Sequence, residues 1–197
     1  MTDALVPVLP PRVPRRHARW LQRVGRWAFT RAGWRVEGNF PDVPRQVLVI
    51  APHTSNWDFV AGLGAMLALD LDPRWLGKHT LFRPPLGWLM RAIGGIPVRR
   101  DTHHDMVAQV VDAFRAARAM VLAITPEGTR RKTAAWKTGY YAIAEQAGVP
   151  VVPVWFDWGR RVVGIGAPYA AEGGAAALTE RLRGLYHAGM ARRPSAF

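Results

Sequence analysis

Short apolar runs, each closed by a polar turn, recur along the 197-residue chain. Residues 46–51 (Gln-Val-Leu-Val-Ile-Ala) and 120–124 (Met-Val-Leu-Ala-Ile) are continuous apolar runs of strand length, which predicts buried strands. Shorter runs at 74–78, 94–98 and 161–166 predict further strands. Residues 149–156 predict another, with Pro150 and Pro153 pointing to an edge or irregular position. Between them the period lengthens. Residues 59–69 predict a helix, and in 105–119 Met106, Val107, Val110, Val111 and Phe114 mark one buried face. Residues 140–147 predict a helix stopped by Gly148, and 178–190 a terminal helix after an Ala/Gly-rich stretch. No internal repeat is visible. Strands alternating with helices predict an α/β domain with a largely parallel sheet flanked by helices.

The ends of the chain read differently. Residues 1–14 are Pro-rich and expected to be poorly ordered. From Arg15 the pattern is that of a basic amphipathic helix. At 100° per residue Arg15, Arg16, Arg19, Arg23 and Arg26 share one arc, and Trp20, Leu21, Val24, Trp27 and Ala28 the other. Such a composition suits a membrane surface, although the Trp face could equally pack on the protein itself. The expected organisation is a flexible terminus (1–14), an amphipathic helix and linker (15–45) and one main domain (46–197). Residues 81–90 are apolar, contain two prolines and predict a loop with a short helix.

Composition narrows the function classes. The chain is 49% hydrophobic, so it can bury a core, and it has no Cys, which excludes thiolate metal sites and a cysteine nucleophile. A formal charge of +13 predicts anionic partners such as an anionic lipid surface, phosphorylated substrates or nucleic acid. No run approaches the roughly 20 apolar residues of a membrane span. A cytoplasmic protein, peripheral on the cytoplasmic face of the membrane, is expected.

Polar clusters follow the predicted strands. The turn after 46–51 carries His53 and Asp58. Five residues apart, they would diverge on a straight helix, and only a turn lets the carboxylate reach the imidazole. A carboxylate-oriented imidazole is a general base. Alternatively, Asp58 caps the next helix and His53 is an ordinary loop residue. Arg99 and Arg100 follow the 94–98 run, and Glu127 and Arg130 follow 120–124. Strand ends in α/β sheets gather on one edge, so these groups are expected to converge. Guanidinium forks suit phosphate.

In order and spacing these blocks resemble the lysophospholipid acyltransferase family, which includes glycerol-phosphate and lysophosphatidic acid acyltransferases. Its His-x4-Asp block matches His53 and Asp58, with Asn56 fitting. A Gly-x-Ile-x-x-x-Arg-like run matches 94–100, ending at Arg100. A Pro-Glu-Gly-Thr-Arg block matches Glu127, Gly128, Thr129 and Arg130. A Val-Pro strand matches 149–154. Lys78, the Pro-Leu-Gly-Trp segment and Lys137-Thr138-Gly139 also sit where the family pattern expects similar residues. The likeness runs from about 47 to 156. It departs at Thr125, Arg131, Pro97 and Arg99, around the acceptor block.

The resemblance implies a glycerol-phosphate-acyltransferase-like fold over 46–197 and O-acyl transfer in phospholipid biosynthesis or remodelling. The donor would be an acyl thioester, acyl-CoA or acyl carrier protein. The acceptor would be a lysophospholipid, with lysophosphatidic acid leading and another lyso- or amino lipid as the alternative. His53 would take the hydroxyl proton and Asp58 orient it. Arg100 and Arg130 would hold the acceptor phosphate, and Glu127 accept from the acceptor or fix Arg130. Asn56, Lys78, Gly128 and Thr129 complete the expected substrate-binding set. No cofactor or metal is expected, since His53 and Asp58 have no third ligand. A basic nucleic-acid-binding protein is the alternative of a different class, but no binding motif supports it and no nucleic acid is expected as partner.

Overall fold

The computed structural model describes residues 5–98 and 103–197. Its centre is a seven-stranded sheet. The strands are β1 (Arg35–Glu37), β2 (Arg45–Ile50), β3 (Pro73–Lys78), β4 (Gly95–Val98), β5 (Met120–Ile124), β6 (Val151–Asp157) and β7 (Val162–Ile165). Their spatial order is β1-β7-β6-β2-β5-β3-β4. All pairings are parallel except β6 with β7. The helices are α1 (Arg19–Arg31), α2 (Asn56–Leu69), α3 (Gly87–Ala92), α4 (His103–Ala116), α5 (Gly139–Ala147) and α6 (Ala175–Arg183).

The unbroken apolar run at 47–50 of β2 follows from its place at the middle of the sheet. Val47 and Val49 pack with Phe114, Tyr140 and Ile143 from the α4–α5 layer. Leu48 packs on the opposite face with Phe29, Ala65 and Met66 from the α1–α2 layer. A parallel strand covered on both faces has no polar side, so alternation disappears. β6 is also internal, between β7 and β2, against the edge position its prolines suggested. Pro153 is tolerated because it lies opposite Gly166, one residue past the end of β7, where its carbonyl accepts the Gly166 N–H and no donor is required of it.

The N-terminal segment departs from the expected loose tail. From Leu5 onward it runs along the domain, and Val6, Leu9 and Val13 are buried in the α1–α2 core. Arginines hold it there: Arg15 donates to Leu9 O and Arg26 to Val6 O. The helix expected from Arg15 begins only at Arg19, so Arg15 and Arg16 precede it and the expected basic arc is split. Arg16 is also tied in, to Ala92 O at 2.6 Å and to Asp72 at 3.7 Å, while Arg19 and Arg23 stay exposed.

Of the two places left open for the Trp face of α1, the structure leaves it outward and packs α1 on α2 through another face. Its buried residues are Gly25 and Phe29. A Cβ on Gly25 would stand 2.6 Å from Leu67 Cβ, so the missing side chain permits the close crossing. Trp20, Val24 and Trp27 face outward, 68%, 56% and 67% exposed. The terminal helix is shorter than expected, ending at Arg183, after which Tyr186 turns inward and donates its hydroxyl to Val49 O at 3.0 Å.

Candidate active site

Parallel pairing sets the site. Val49 of β2 lies beside Ile124 of β5, Ile50 beside Val154 of β6, and Trp75 of β3 beside Ala123 of β5. The carboxyl ends of these strands therefore open onto one sheet edge. Three turns leave it together: the one carrying His53, the one carrying Glu127, and the β6–β7 turn.

The first turn is shaped by the start of α2. Ser55, extended at φ −149°, is the N-cap, and its Oγ accepts the Trp57 N–H. Three residues on, Asp58 returns its carboxylate to the cap, and Oδ2 accepts Thr54 N at 2.8 Å and Ser55 N at 2.7 Å. This is a capping box, with Asp58 at its third helical position. The same Oδ2 lies 3.4 Å from His53 Nδ1. Capping and orienting are thus one arrangement: the box fixes the carboxylate, and the chain bends so that the imidazole meets it. Asp58 is 1% exposed, whereas the His53 side chain keeps 22% of its surface open. With Nδ1 turned to Asp58, Nε2 is the nitrogen left for an incoming proton.

Asp58 Oδ1 has its own donor, the Trp158 indole, at 2.8 Å. Trp158 lies 100 positions further along the chain, in the β6–β7 turn, and no sequence motif includes it. The likeness of local blocks could not show a contact made through sheet order.

Glu127 comes from the second turn. Its Oε2 accepts the His53 N–H at 2.8 Å, so it holds the histidine's own backbone, where the sequence suggested an acceptor contact or a bond to Arg130. Burial pushes the Glu127 carboxyl above its ordinary value; the His53 N–H and the nearby imidazole oppose the shift, and Asp58 adds to it. Gly128 follows with φ +64°, a conformation that favours glycine, and a Cβ there would stand 3.0 Å from Lys137 Cε. The backbone thus bends sharply and brings Lys137 against the turn.

A cavity of ≈ 1630 Å³ opens beside these groups. His53, Asn56, Asp58, Lys78, Gly128, Thr129 and Arg130 all line it, as do Arg131 and Lys137. Deeper walls are apolar, formed among others by Ile50, Leu63, Met66, Leu76 and Phe156. The expected site residues therefore meet at one cavity, with Glu127 immediately behind His53. Arg100 lies outside the described residues. Among the described residues no cluster of three or more His, Asp or Glu could hold a metal ion. The arrangement offers an oriented imidazole, a cationic border and an apolar depth.

The family model described as Acyltransferase matches residues 34–157. The 1-acyl-sn-glycerol-3-phosphate acyltransferase of Escherichia coli is 32% identical over 114 residues, covering 54% of this chain and 45% of that protein. The enzyme of the same name from Haemophilus influenzae is 28% identical over 149 residues, covering 70% and 58%. The chloroplastic BAT2 enzyme of that name from Brassica napus is 30% identical over 123 residues, covering 59% and 34%. The chain thus spans between about a third and three fifths of these relatives' lengths. The crystal structure of the 1-acyl-sn-glycerophosphate acyltransferase PlsC from Thermotoga maritima superposes with a TM-score of 0.59. It covers 85% of this chain and 77% of that one at 24% identity, which establishes a shared fold.

Proposed function

The chain belongs to the Acyltransferase family, and on that premise we propose that it transfers a fatty acyl group from an acyl thioester to the hydroxyl of lysophosphatidic acid. The observation that carries this is the His53–Asp58 pair, rigidly capped, on the wall of a cavity with a cationic border and an apolar interior.

In this mechanism the acceptor hydroxyl gives its proton to His53 Nε2 as its oxygen attacks the thioester carbonyl. Asp58 stabilises the imidazolium that forms. The tetrahedral adduct then collapses, the thiolate leaves, and the imidazolium returns the proton to it. The products are an ester and a free thiol. Arg130, with Lys78 and the backbone of Gly128 and Thr129, receives the acceptor phosphate. Arg100 belongs to the same role by sequence resemblance. Asn56, on the first turn of α2, contacts the substrate at the imidazole. The apolar walls take the fatty chain, and acyl-CoA and acyl carrier protein are both admissible donors. Glu127 acts behind the site, keeping His53 in place.

Both acceptor and product are lipids, so the reaction is placed at a bilayer surface on the cytoplasmic side. No helix among the described residues is long and apolar enough to cross a membrane. Support for surface docking comes from α1, where Trp20, Val24 and Trp27 repeat at i, i+4 and i+7 on an open face beside exposed Arg19 and Arg23.

The test is a panel of lyso-acceptors presented to the purified protein with acyl-CoA or acylated carrier protein, reading thiol release and ester formation together. Lysophosphatidic acid is expected to be the best acceptor. Absence of transfer to every acceptor from both donors would overturn the proposal.

A further inference from the structure

We propose that Trp158 is a positioning residue of the reaction, acting through Asp58 to set the orientation of His53. This inference rests on the acyl-transfer reading for its kinetic consequence, and on geometry alone for its structural one. Trp158 lies one residue beyond the stretch matched by the family model.

A buried carboxylate carries two acceptor oxygens. Asp58 is closed from solvent, so both oxygens need donors from the protein. Oδ2 is supplied by two backbone N–H groups of its own turn and lies near His53. Those contacts fix one oxygen and leave the carboxylate free to swing about it. The Trp158 indole N–H fixes the second oxygen at 2.8 Å. Two anchored oxygens define the carboxylate plane, and that plane decides how Oδ2 meets His53 Nδ1.

The indole is itself held on several sides. Its ring meets the edge of Trp34 at 5.0 Å and 88°. Arg192 lies over it at 4.9 Å. Its backbone N–H donates to Met190 O at 3.0 Å. Asp157 Oδ1 accepts the Arg160 N–H at 2.9 Å and tightens the turn. The C-terminal segment reaches the histidine turn as well, since Arg193 N donates to Thr54 Oγ1 at 3.2 Å. Trp158 thus transmits the rigidity of the sheet end and the C-terminal segment to the Asp58 carboxylate. A partly buried indole would seek an acceptor in any fold. What distinguishes this one is that its acceptor is the oxygen opposite the one facing the histidine.

Two readouts test the role. The first needs no substrate: ¹⁵N spectra of the imidazoles at neutral pH, with the His53 signal assigned by its loss in His53→Ala. The wild-type signal is expected to show the Nδ1–H tautomer, and Trp158→Phe a mixture. The second is kinetic. Trp158→Phe is expected to lower kcat about 10- to 100-fold, as for loss of a hydrogen bond to a charged group. Both KM values should change less than about threefold, the signature of a contact that matters in the transition state. In the Asp58→Asn background the same change should cost less than about twofold, because the partner it acts through is already altered. If Trp158→Phe folds poorly, the benzothienyl isostere at this position removes the N–H and keeps the ring shape. An unchanged tautomer signal would overturn the inference whether or not the protein transfers acyl groups. An equal loss in both backgrounds, or a rise in KM alone, would overturn it where wild-type turnover is present. Absence of wild-type turnover would instead count against the acyl-transfer reading, leaving the tautomer signal to decide the role of Trp158.

Discussion

Glu127 Oε2 accepts the backbone N–H of His53 at 2.8 Å, joining the turn after β5 to the turn after β2. The carboxyl sits half-buried behind the histidine and is held above its ordinary value chiefly by burial. In the folded state it therefore keeps its proton to higher pH than in the unfolded chain. Its contribution to stability is complete below the ordinary carboxylate range and is lost as pH rises through the folded value. Glu127→Gln keeps an oxygen for the His53 N–H and removes the titration. Urea unfolding across pH 4 to 8 should show the variant gaining on the wild type as pH rises, and a gap moving the other way would refute the shift.

Asp58→Asn is expected to damage both catalysis and folding, because one carboxylate serves both. Loss of the correct imidazole tautomer costs about 10⁴-fold in kcat for a comparable dyad. Asn keeps only one acceptor oxygen, so either the Thr54 and Ser55 N–H groups or the Trp158 indole N–H faces the amide NH2 and loses its partner, which costs about 1–3 kcal/mol. Turnover and denaturant midpoints measured on the same preparation check the pair. A kinetic defect with unchanged stability would separate the two roles.

Arg130→Ala should raise the acceptor KM about 10- to 150-fold, the value of a charge-assisted hydrogen bond of about 1.5–3 kcal/mol. The thioester KM should move little. The reverse pattern would assign Arg130 to the donor's phosphates.

Gly25→Ala sets helix propensity against packing. In an open helix the change would gain about 1 kcal/mol. Here the new Cβ would meet Leu67 Cβ at 2.6 Å. Overpacking of this kind costs about 1–3 kcal/mol, so the denaturation midpoint should fall or at best hold. A clear rise would show that α1 and α2 are not packed this closely.

Arg19→Glu with Arg23→Glu, and separately Trp20→Ser with Trp27→Ser, should each weaken binding to anionic vesicles. Each basic residue near such a surface is worth about 1 kcal/mol, screened by salt. Both pairs are exposed, so folding should survive. Vesicle flotation and duplex DNA binding run side by side check this. Loss of DNA binding with intact vesicle binding would favour a nucleic-acid partner.

The central strands were legible because burial on both faces leaves an unmistakable run of apolar residues. The predicted strand at 120–124 coincides with β5, and that at 46–51 is offset from β2 by one residue at each end. The histidine turn was legible because a strand-like apolar run precedes it and a helical one follows, although the N-cap is Ser55 and Asp58 stands three residues inside. β1 was missed because its charged residues, Arg35 and Glu37, pair with each other at 2.8 Å on a three-residue edge strand. Val6, Leu9 and Val13 carry no period among their prolines, and only the tertiary structure reveals their burial. A helical wheel told the Arg and Trp arcs of α1 apart but not the face it packs with, Gly25 and Phe29, and Arg15 and Arg16 lie ahead of the helix. Trp158 meets Asp58 only because β6 lies beside β2 in the sheet.

The most direct test of the account is His53→Ala assayed with lysophosphatidic acid and an acyl thioester, with thiol release and phosphatidic acid formation followed together. A partly open turn residue carries little of the core, so the variant should melt close to the wild type. Turnover should fall to background. Wild-type-like formation of both products by a folded His53→Ala protein would contradict the assignment of His53 as the base.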